Sequence, residues 1–157
     1  MSLIPDHVPK KPERLLATVS AHVILIDRHG GGNGGDRILL GQLAYRDHRW
    51  EKWSFPGGYM DQGEALETAL CREVREETGM TLLSWNRLDI QPMLHCEHPH
   101  ISFLYSSDDW QGQPACLTRE FLDLRWADET FYRTLVRENA LAYPCMSQQV
   151  TFLGWNF

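Results

Sequence analysis

Apolar residues along the chain form short runs separated by polar segments, a pattern that predicts several strands around one central helix. Residues 19–26, 38–40, 101–106 and 117–126 are predicted as strands. The glycine-rich residues 30–35 lie between the first two runs. A phosphate-binding loop there would need a following helix, so a hairpin connection is the better interpretation.

Two segments carry the signals of helices. Residues 65–78 have helical composition, and Gly79 stands where a C-terminal cap belongs. Residues 127–143 have apolar positions at helical spacing and end before Pro144. Strands on both sides of a central helix, with a second helix near the end, predict an α/β or α+β layered domain with a mixed sheet. Residues 150–157 are apolar, and their pattern leaves helix, strand and interface open.

Composition narrows the class of protein. A chain of 157 residues fits a single domain, residues 1–157, with a flexible extension at 1–16 and a tail of undecided structure at 144–157. A net charge of -6 disfavours a nucleic-acid polymer as partner. Short apolar runs, four widely spaced cysteines and a polar start without a signal-like run predict a cytoplasmic protein that does not enter a membrane.

One face of the central helix passes from apolar to acidic residues. Leu66 and Leu70 share a face with Glu73, and Glu76 and Glu77 follow at helical spacing. Carboxylates crowded on the core side repel one another, lose hydration and oppose the helix dipole. A divalent cation removes that cost, so the pattern predicts a site for Mg²⁺, with Mn²⁺ as a possible substitute.

The alternative interpretation is a solvated acidic face, with Arg72 and Arg75 pairing with neighbouring glutamates. Gly57 and Gly58 argue against it. Glycines directly before an acidic helix allow the backbone to approach a ligand and expose carbonyls that can bind a metal.

The segment from Gly58 to Met80 resembles the complete Nudix box, a specific signature of 23 residues. A glycine precedes a glutamate by six positions, and seven residues then lead to an Arg-Glu-apolar-x-Glu-Glu-x-Gly-apolar run. The matching positions are Gly58, Glu64, Arg72, Glu73, Val74, Glu76, Glu77, Gly79 and Met80. A looser similarity covers about residues 19–126.

The resemblance implies an α/β/α sandwich with a mixed sheet, and hydrolysis of nucleoside diphosphates linked to another moiety. It implies that metal is bound by Glu73, Glu76, Glu77 and the Gly57 carbonyl. Glu64 and Arg72 are expected to hold loop and helix together. One further acid from a later loop is also expected, with Glu120 as first candidate and Glu97 as second.

Hydrolysis of a phosphoanhydride needs charge neutralisation and an aligned water. Glu73 is the candidate general base, within a catalytic set that also includes Glu77, Arg72 and Glu64. Tyr45, Trp50 and Trp53 are candidates for stacking a base, Arg49 or Lys52 for meeting a phosphate, and Gly58 for close approach to the substrate. Trp53 has an equal alternative as core packing beside Phe55.

Several alternatives stay open at this level. Since the auxiliary motifs of other family branches are absent, a nucleoside triphosphate or related nucleotide is the first expectation for the substrate, followed by dinucleoside polyphosphates and nucleotide sugars. A non-catalytic nucleotide-binding regulator is the third, although binding alone would not require three clustered acids. A zinc site at residues 95–100 is disfavoured because Pro99 interrupts it. The apolar tail predicts a possible homodimer through Phe152, Leu153, Trp155 and Phe157.

Overall fold

The first predicted strand, β1 (Thr18–Asp27), lies at the centre of the sheet in the computed structural model, which describes residues 11–157. The other strands are β2 (Arg37–Leu43), β3 (Trp53–Ser54), β4 (Gly57–Tyr59), β5 (Thr81–Leu82), β6 (Asn86–Met93), β7 (His100–Ser107), β8 (Trp110–Gln111) and β9 (Phe121–Asp128). The helices are α1 (Leu66–Thr78), α2 (Glu129–Arg137) and α3 (Met146–Gln149), with 3-10 turns at Gly32–Gly34 and Thr151–Leu153.

Within the described residues, seven strands form one mixed sheet. β1 runs parallel to β7, with Val19 opposite Ile101, and antiparallel to β2 and β4. β6 extends the sheet beyond β7, while β3 and β9 pair with β2. β5 and β8 make a separate two-stranded sheet. The predicted mixed sheet and the predicted hairpin between β1 and β2 are both confirmed.

Alternation along β1 separates two cores, because successive side chains of a strand point to opposite faces. Ala21, Val23 and Leu25 face α1 and pack with Leu70 and Val74. The opposite face of the sheet carries the larger core. Its buried members include Ile24, Ile26, Ile38, Leu40, Tyr132, Leu135, Met146 and Trp155. The sheet therefore lies between α1 and the C-terminal helices, which is the predicted layered arrangement.

Five of the nine strands among the described residues, β3, β4, β5, β6 and β8, were not predicted, and β4 and β6 show why. Gly57 and Gly58 read as a loop, yet they belong to β4 and pair with His22 and Ala21 of β1. β6 is a polar edge strand that contains Pro92, so its apolar alternation is weak. Both strands form because β1 and β7 offer free edges, and a local pattern does not report such pairing.

The predicted helix over residues 127–143 is too long. α2 ends at Arg137, Asn139 adopts a positive φ of 53°, and the following residues pair with Trp53 instead of continuing the helix. The tail folds back on α2, where Trp155 and Phe157 both pack against Tyr132. Trp155 is thus part of this chain's core, so the homodimer prediction rests on the exposed Phe152 and Phe157. The predicted N-terminal extension falls largely outside the described residues.

Candidate metal and substrate site

Helix α1 presents its acids beside the β4 strand. The helix ends at Gly79, which has a φ of 73° and donates its N–H to the Arg75 carbonyl at 2.9 Å, as expected for a left-handed cap. The apolar residues that it buries are Ala69, Leu70 and Val74, and their packing fixes the rotation of the helix about its axis. That rotation decides which of the glutamates point inward.

Glu77 is the most buried acid of the site, with 2% of its surface exposed. Its Oε2 accepts a hydrogen bond of 2.8 Å from the Gly57 backbone N–H. Burial raises the pKa of Glu77 to about 9, and the nearby charges of Glu73 and Glu120 act in the same direction. One N–H donor does not compensate the burial of a negative charge, so the position favours a bound cation or a bound proton.

Glu73 lies against the backbone of β4. A Cβ atom on Gly58 would lie 2.5 Å from its Cδ, so a side chain at this position would displace the carboxylate. Burial raises the pKa of Glu73, while the Arg72 guanidinium, whose Nη1 donates to Glu73 Oε1 at 3.0 Å, acts in the opposite direction. Gly58 therefore serves this site by leaving space for an acid.

Arg72 links α1 to the loop that precedes it. Its Nε and Nη2 donate to the two oxygens of Glu64 at 2.8 and 3.1 Å, and Nη2 also donates to the Tyr59 carbonyl at 3.1 Å. Glu64 in turn accepts a hydrogen bond of 3.0 Å from the Asp61 N–H. These contacts tie the loop to the helix and fix the position of Gly57 and Gly58 relative to the acids.

Glu76 does not share the inward face, contrary to the sequence-based expectation. Its side chain is 57% exposed and contacts Arg72 Nη1 at 3.3 Å. The cause is the helical period: a residue three positions after Glu73 is rotated by about 60° from it, whereas Glu77 returns to within about 40°. Glu76 thus lies at the rim of the site, and only a ligand at that rim could reach it.

Glu120 directly precedes β9 and lies beside the end of β2. Its carbonyl accepts a hydrogen bond of 2.8 Å from the Ala44 N–H, which holds the residue at the end of β2. Burial is the main cause of the raised pKa of Glu77, and the charge of Glu120 adds to it. The structure therefore brings Glu120 to Glu73 and Glu77. The second candidate, Glu97, is exposed in the connection between β6 and β7.

The donor set suits a hard divalent cation because it consists of carboxylate oxygens. Among residues 11–157, no three acidic, histidine or cysteine side chains are already arranged to hold a metal, and Arg72 occupies one oxygen each of Glu73 and Glu76. The oxygen ligands and the burial of these carboxylates fit a divalent cation, which would draw the carboxylates together when it binds.

The aromatic and basic segment from Tyr45 to Trp53 contains both buried and exposed side chains. Trp53 is 8% exposed and makes an edge contact with Phe131 at 5.8 Å, so the structure corrects its assignment as a base-stacking residue in favour of the alternative, core packing. Trp50 is 46% exposed and Lys52 is half-buried. Tyr45 lies nearer the acids, because the N–H of its neighbour Ala44 donates to the Glu120 carbonyl at 2.8 Å. Burial raises the pKa of the Tyr45 hydroxyl, and the charges of Glu120 and Glu77 act in the same direction.

Arg49 is held in one orientation beside Tyr45. Its guanidinium stacks over the Tyr45 ring at 4.6 Å, donates to both oxygens of Asp47, and donates from Nη1 to the Tyr143 hydroxyl at 3.0 Å. Sequence reasoning missed Tyr143. Arg49 and Tyr143 are 94 positions apart, and no local pattern reports such a contact.

None of the helices in residues 11–157 combines the length and the apolar character that crossing a lipid bilayer requires.

Comparison with known proteins gives a family match over most of the chain. Residues 17–141 match the NUDIX domain. A solved structure described as a NUDIX hydrolase from Nitrosomonas europaea superposes with a TM-score of 0.71 at 19% identity, covering 90% of this chain and 93% of that one. At that identity, the superposition supports the fold alone.

Two curated relatives are similar in sequence. An oxidized purine nucleoside triphosphate hydrolase of Danio rerio is 26% identical over 123 residues, which cover 76% of this chain and 77% of the relative. An 8-oxo-(d)GTP phosphatase of Mycolicibacterium smegmatis is 40% identical over 60 residues, which cover 38% of this chain. The matched region spans only 18% of the length of that second relative.

Proposed function

The chain belongs to the Nudix hydrolase family, and we propose that it is a metal-dependent pyrophosphohydrolase that cleaves a phosphoanhydride bond in a nucleoside triphosphate or a related nucleotide. The observation that carries the proposal is the buried Glu77 carboxylate, with Glu73 and Glu120 beside it. Such a cluster is costly in an empty protein and becomes favourable when a divalent cation shares it.

Mg²⁺, or Mn²⁺ in its place, would be held by Glu73, Glu77 and Glu120, with Glu76 at the rim and the Gly57 carbonyl as a further donor. When bound, the ion would neutralise phosphate charge and acidify a coordinated water. Glu76 is the weakest member of the set, because its side chain is the most exposed of the α1 acids and is paired with Arg72.

Glu73 is the proposed general base. Burial raises the pKa of this carboxyl, which makes it a better proton acceptor near neutral pH. Arg72 keeps one oxygen of Glu73 oriented, and the absence of a side chain on Gly58 leaves the carboxylate in place. Glu64 contributes indirectly by holding Arg72.

The phosphate chain of the substrate would meet Arg49. A guanidinium that is already fixed loses little entropy when it binds an anion. Trp50, which is exposed, can stack on a base at the mouth of the site, whereas Trp53 packs in the core. Gly58 allows close approach of the backbone. The named activity of the Danio rerio relative, hydrolysis of oxidized purine nucleoside triphosphates, favours this substrate class.

The test is a hydrolysis screen over ordinary and oxidised nucleoside triphosphates, dinucleoside polyphosphates and nucleotide sugars. Each is assayed with Mg²⁺, with Mn²⁺ and with a chelator, in ¹⁸O-labelled water so that mass spectrometry identifies the attacked phosphorus. We expect metal-dependent release of pyrophosphate and a nucleoside monophosphate from a triphosphate. Turnover confined to a dinucleoside polyphosphate or a nucleotide sugar would select an alternative substrate, and binding without turnover of any compound would select the regulator.

A further inference from the structure

Arg49 is held in place by the part of the chain that follows the family match. The matched region ends at residue 141, and Tyr143 lies just beyond it. Residues 140–142 run beside β3: the Trp53 N–H donates to the Ala140 carbonyl, and the Ala142 N–H donates to the Trp53 carbonyl, both at 2.8 Å. This pairing carries the chain directly to Tyr143, whose hydroxyl accepts the hydrogen bond from Arg49.

The contacts of Arg49 leave part of the guanidinium free. Nε and Nη2 are turned toward Asp47, at 3.1 and 2.6 Å from its Oδ2, and Nη1 is 3.0 Å from the Tyr143 hydroxyl. A guanidinium carries five N–H groups. One N–H on each terminal nitrogen therefore has no hydrogen-bond partner among residues 11–157, and the guanidinium keeps two donors for an anion.

The position of this fixed arginine suits a phosphate near the acids. The Arg49 Cζ lies 4.6 Å from the centre of the Tyr45 ring, and the N–H of the adjacent Ala44 donates to the Glu120 carbonyl at 2.8 Å. Residues 44 and 45 therefore connect Arg49 to the side of the site where Glu120 lies. A phosphate bound to Arg49 at this side would also be within reach of a cation held by the acids.

We infer that Tyr143 is a positioning residue for the substrate: together with Asp47 it holds Arg49 so that its two remaining N–H groups bind a phosphate of the nucleotide. This inference rests on the proposed function and assigns the C-terminal segment a part in the active site. Tyr143 acts through Arg49 and does not touch the reacting atoms.

The experiment compares Tyr143→Phe with wild-type protein on the triphosphate that the screen selects. Loss of the hydroxyl removes one of the contacts that orient the guanidinium, so we expect KM to rise roughly five- to tenfold while kcat stays within about twofold. The matched control is Tyr105→Phe, which deletes a hydroxyl that donates to Glu67 at 3.0 Å, and it should leave both constants unchanged.

A double-variant cycle separates positioning from general stability. In an Arg49→Ala background, Tyr143→Phe should have no further effect on KM, because the group that it positions is gone. Asp47→Asn should raise KM in the same way as Tyr143→Phe, which keeps the test available if Tyr143→Phe folds poorly. An equal KM change in both backgrounds, or an unchanged KM in Tyr143→Phe and Asp47→Asn, overturns the inference.

The result also distinguishes this inference from the proposed function. If the wild-type protein hydrolyses no nucleotide, the proposed function fails, and the same variants are then compared by calorimetric binding of inorganic tripolyphosphate in the presence of Mg²⁺. Weaker binding by Tyr143→Phe than by wild type, with Tyr105→Phe unchanged, would still support the inference that Tyr143 positions Arg49. Equal binding by all three proteins, or no binding to the wild type, would overturn it.

Discussion

Helix α1 and the segment from Tyr45 to Trp53 both contribute to the candidate site, yet different kinds of contact build them. In α1 the position of each acid follows from the helical period and from Leu70 and Val74, which face the core. In the other segment, Arg49 is oriented by Tyr143 and Trp53 is paired with residues near 141, both distant along the chain. Local pattern therefore predicts the first region and not the second, and three experiments test that contrast.

The largest expected effect lies in α1. Glu77→Gln keeps the shape of the side chain and removes its charge, so it should reduce turnover by roughly a hundredfold or more. The fold should be retained, since a neutral amide at a buried position is less costly than a carboxylate. Steady-state kinetics and thermal unfolding measure both. Glu73→Gln should behave in the same way.

The matched control for these substitutions is Glu67→Gln. Glu67 is an acid of the same helix that bonds to Arg87 and Tyr105, and its substitution should leave turnover near that of wild type. Near-normal Mg²⁺-dependent turnover in both Glu73→Gln and Glu77→Gln would remove the acids of α1 from the mechanism.

The second test uses pH on the metal-free protein. Glu77 has its pKa raised from 4.5 to about 9, so the folded protein binds a proton that the unfolded chain has released in this range. The contribution to stability is fully present below pH 4.5 and is lost as pH rises to 9. The free energy of unfolding should therefore fall by at most about 1.4 kcal/mol per pH unit.

Urea unfolding with a chelator at about pH 6 and about pH 8 measures this slope. Glu77→Gln should flatten it. Added Mg²⁺ should stabilise the wild-type protein more at the higher pH, where the carboxylate is ionised, because metal ligands must be deprotonated. A wild-type slope of the opposite sign would contradict the assignment of Glu77 as the buried acid of the site.

The contrast between the regions explains what the sequence could predict. The central helix, its Gly79 cap and the strands β1, β2 and β7 follow from local periodicity and capping, and all are confirmed. The acids that point inward were predicted with one error, Glu76. The spacing of three residues was taken to place Glu76 on the same face as Glu73, although the helix rotates it by about 60°. Sequence identified Glu120 as a candidate, but only the register of β9 on β2 brings it to Glu77.

What could not be predicted depends on pairing between distant segments. β4 forms because its glycines meet an edge of β1, and β6 forms because β7 offers its other edge. α2 ends where residues 140–142 gain hydrogen bonds from Trp53 that a longer helix would forgo. The same pairing delivers Tyr143 to Arg49, so the error in the length of α2 and the missed site residue have one cause.

The smallest expected effect compares two tryptophans three positions apart. Trp50→Ala removes an exposed indole, so it should raise KM about threefold for a nucleotide with a base and leave stability unchanged. The KM of Trp50→Ala for inorganic tripolyphosphate, which has no base, should equal the KM of the wild-type protein. Trp53→Ala instead empties a core position and should lower the free energy of unfolding by about 3 kcal/mol or more. An equal rise in KM for both substrates in Trp50→Ala would show that Trp50 does not stack on a base. The exposed residues of the segment from Tyr45 to Trp53 would then contact only the phosphate chain.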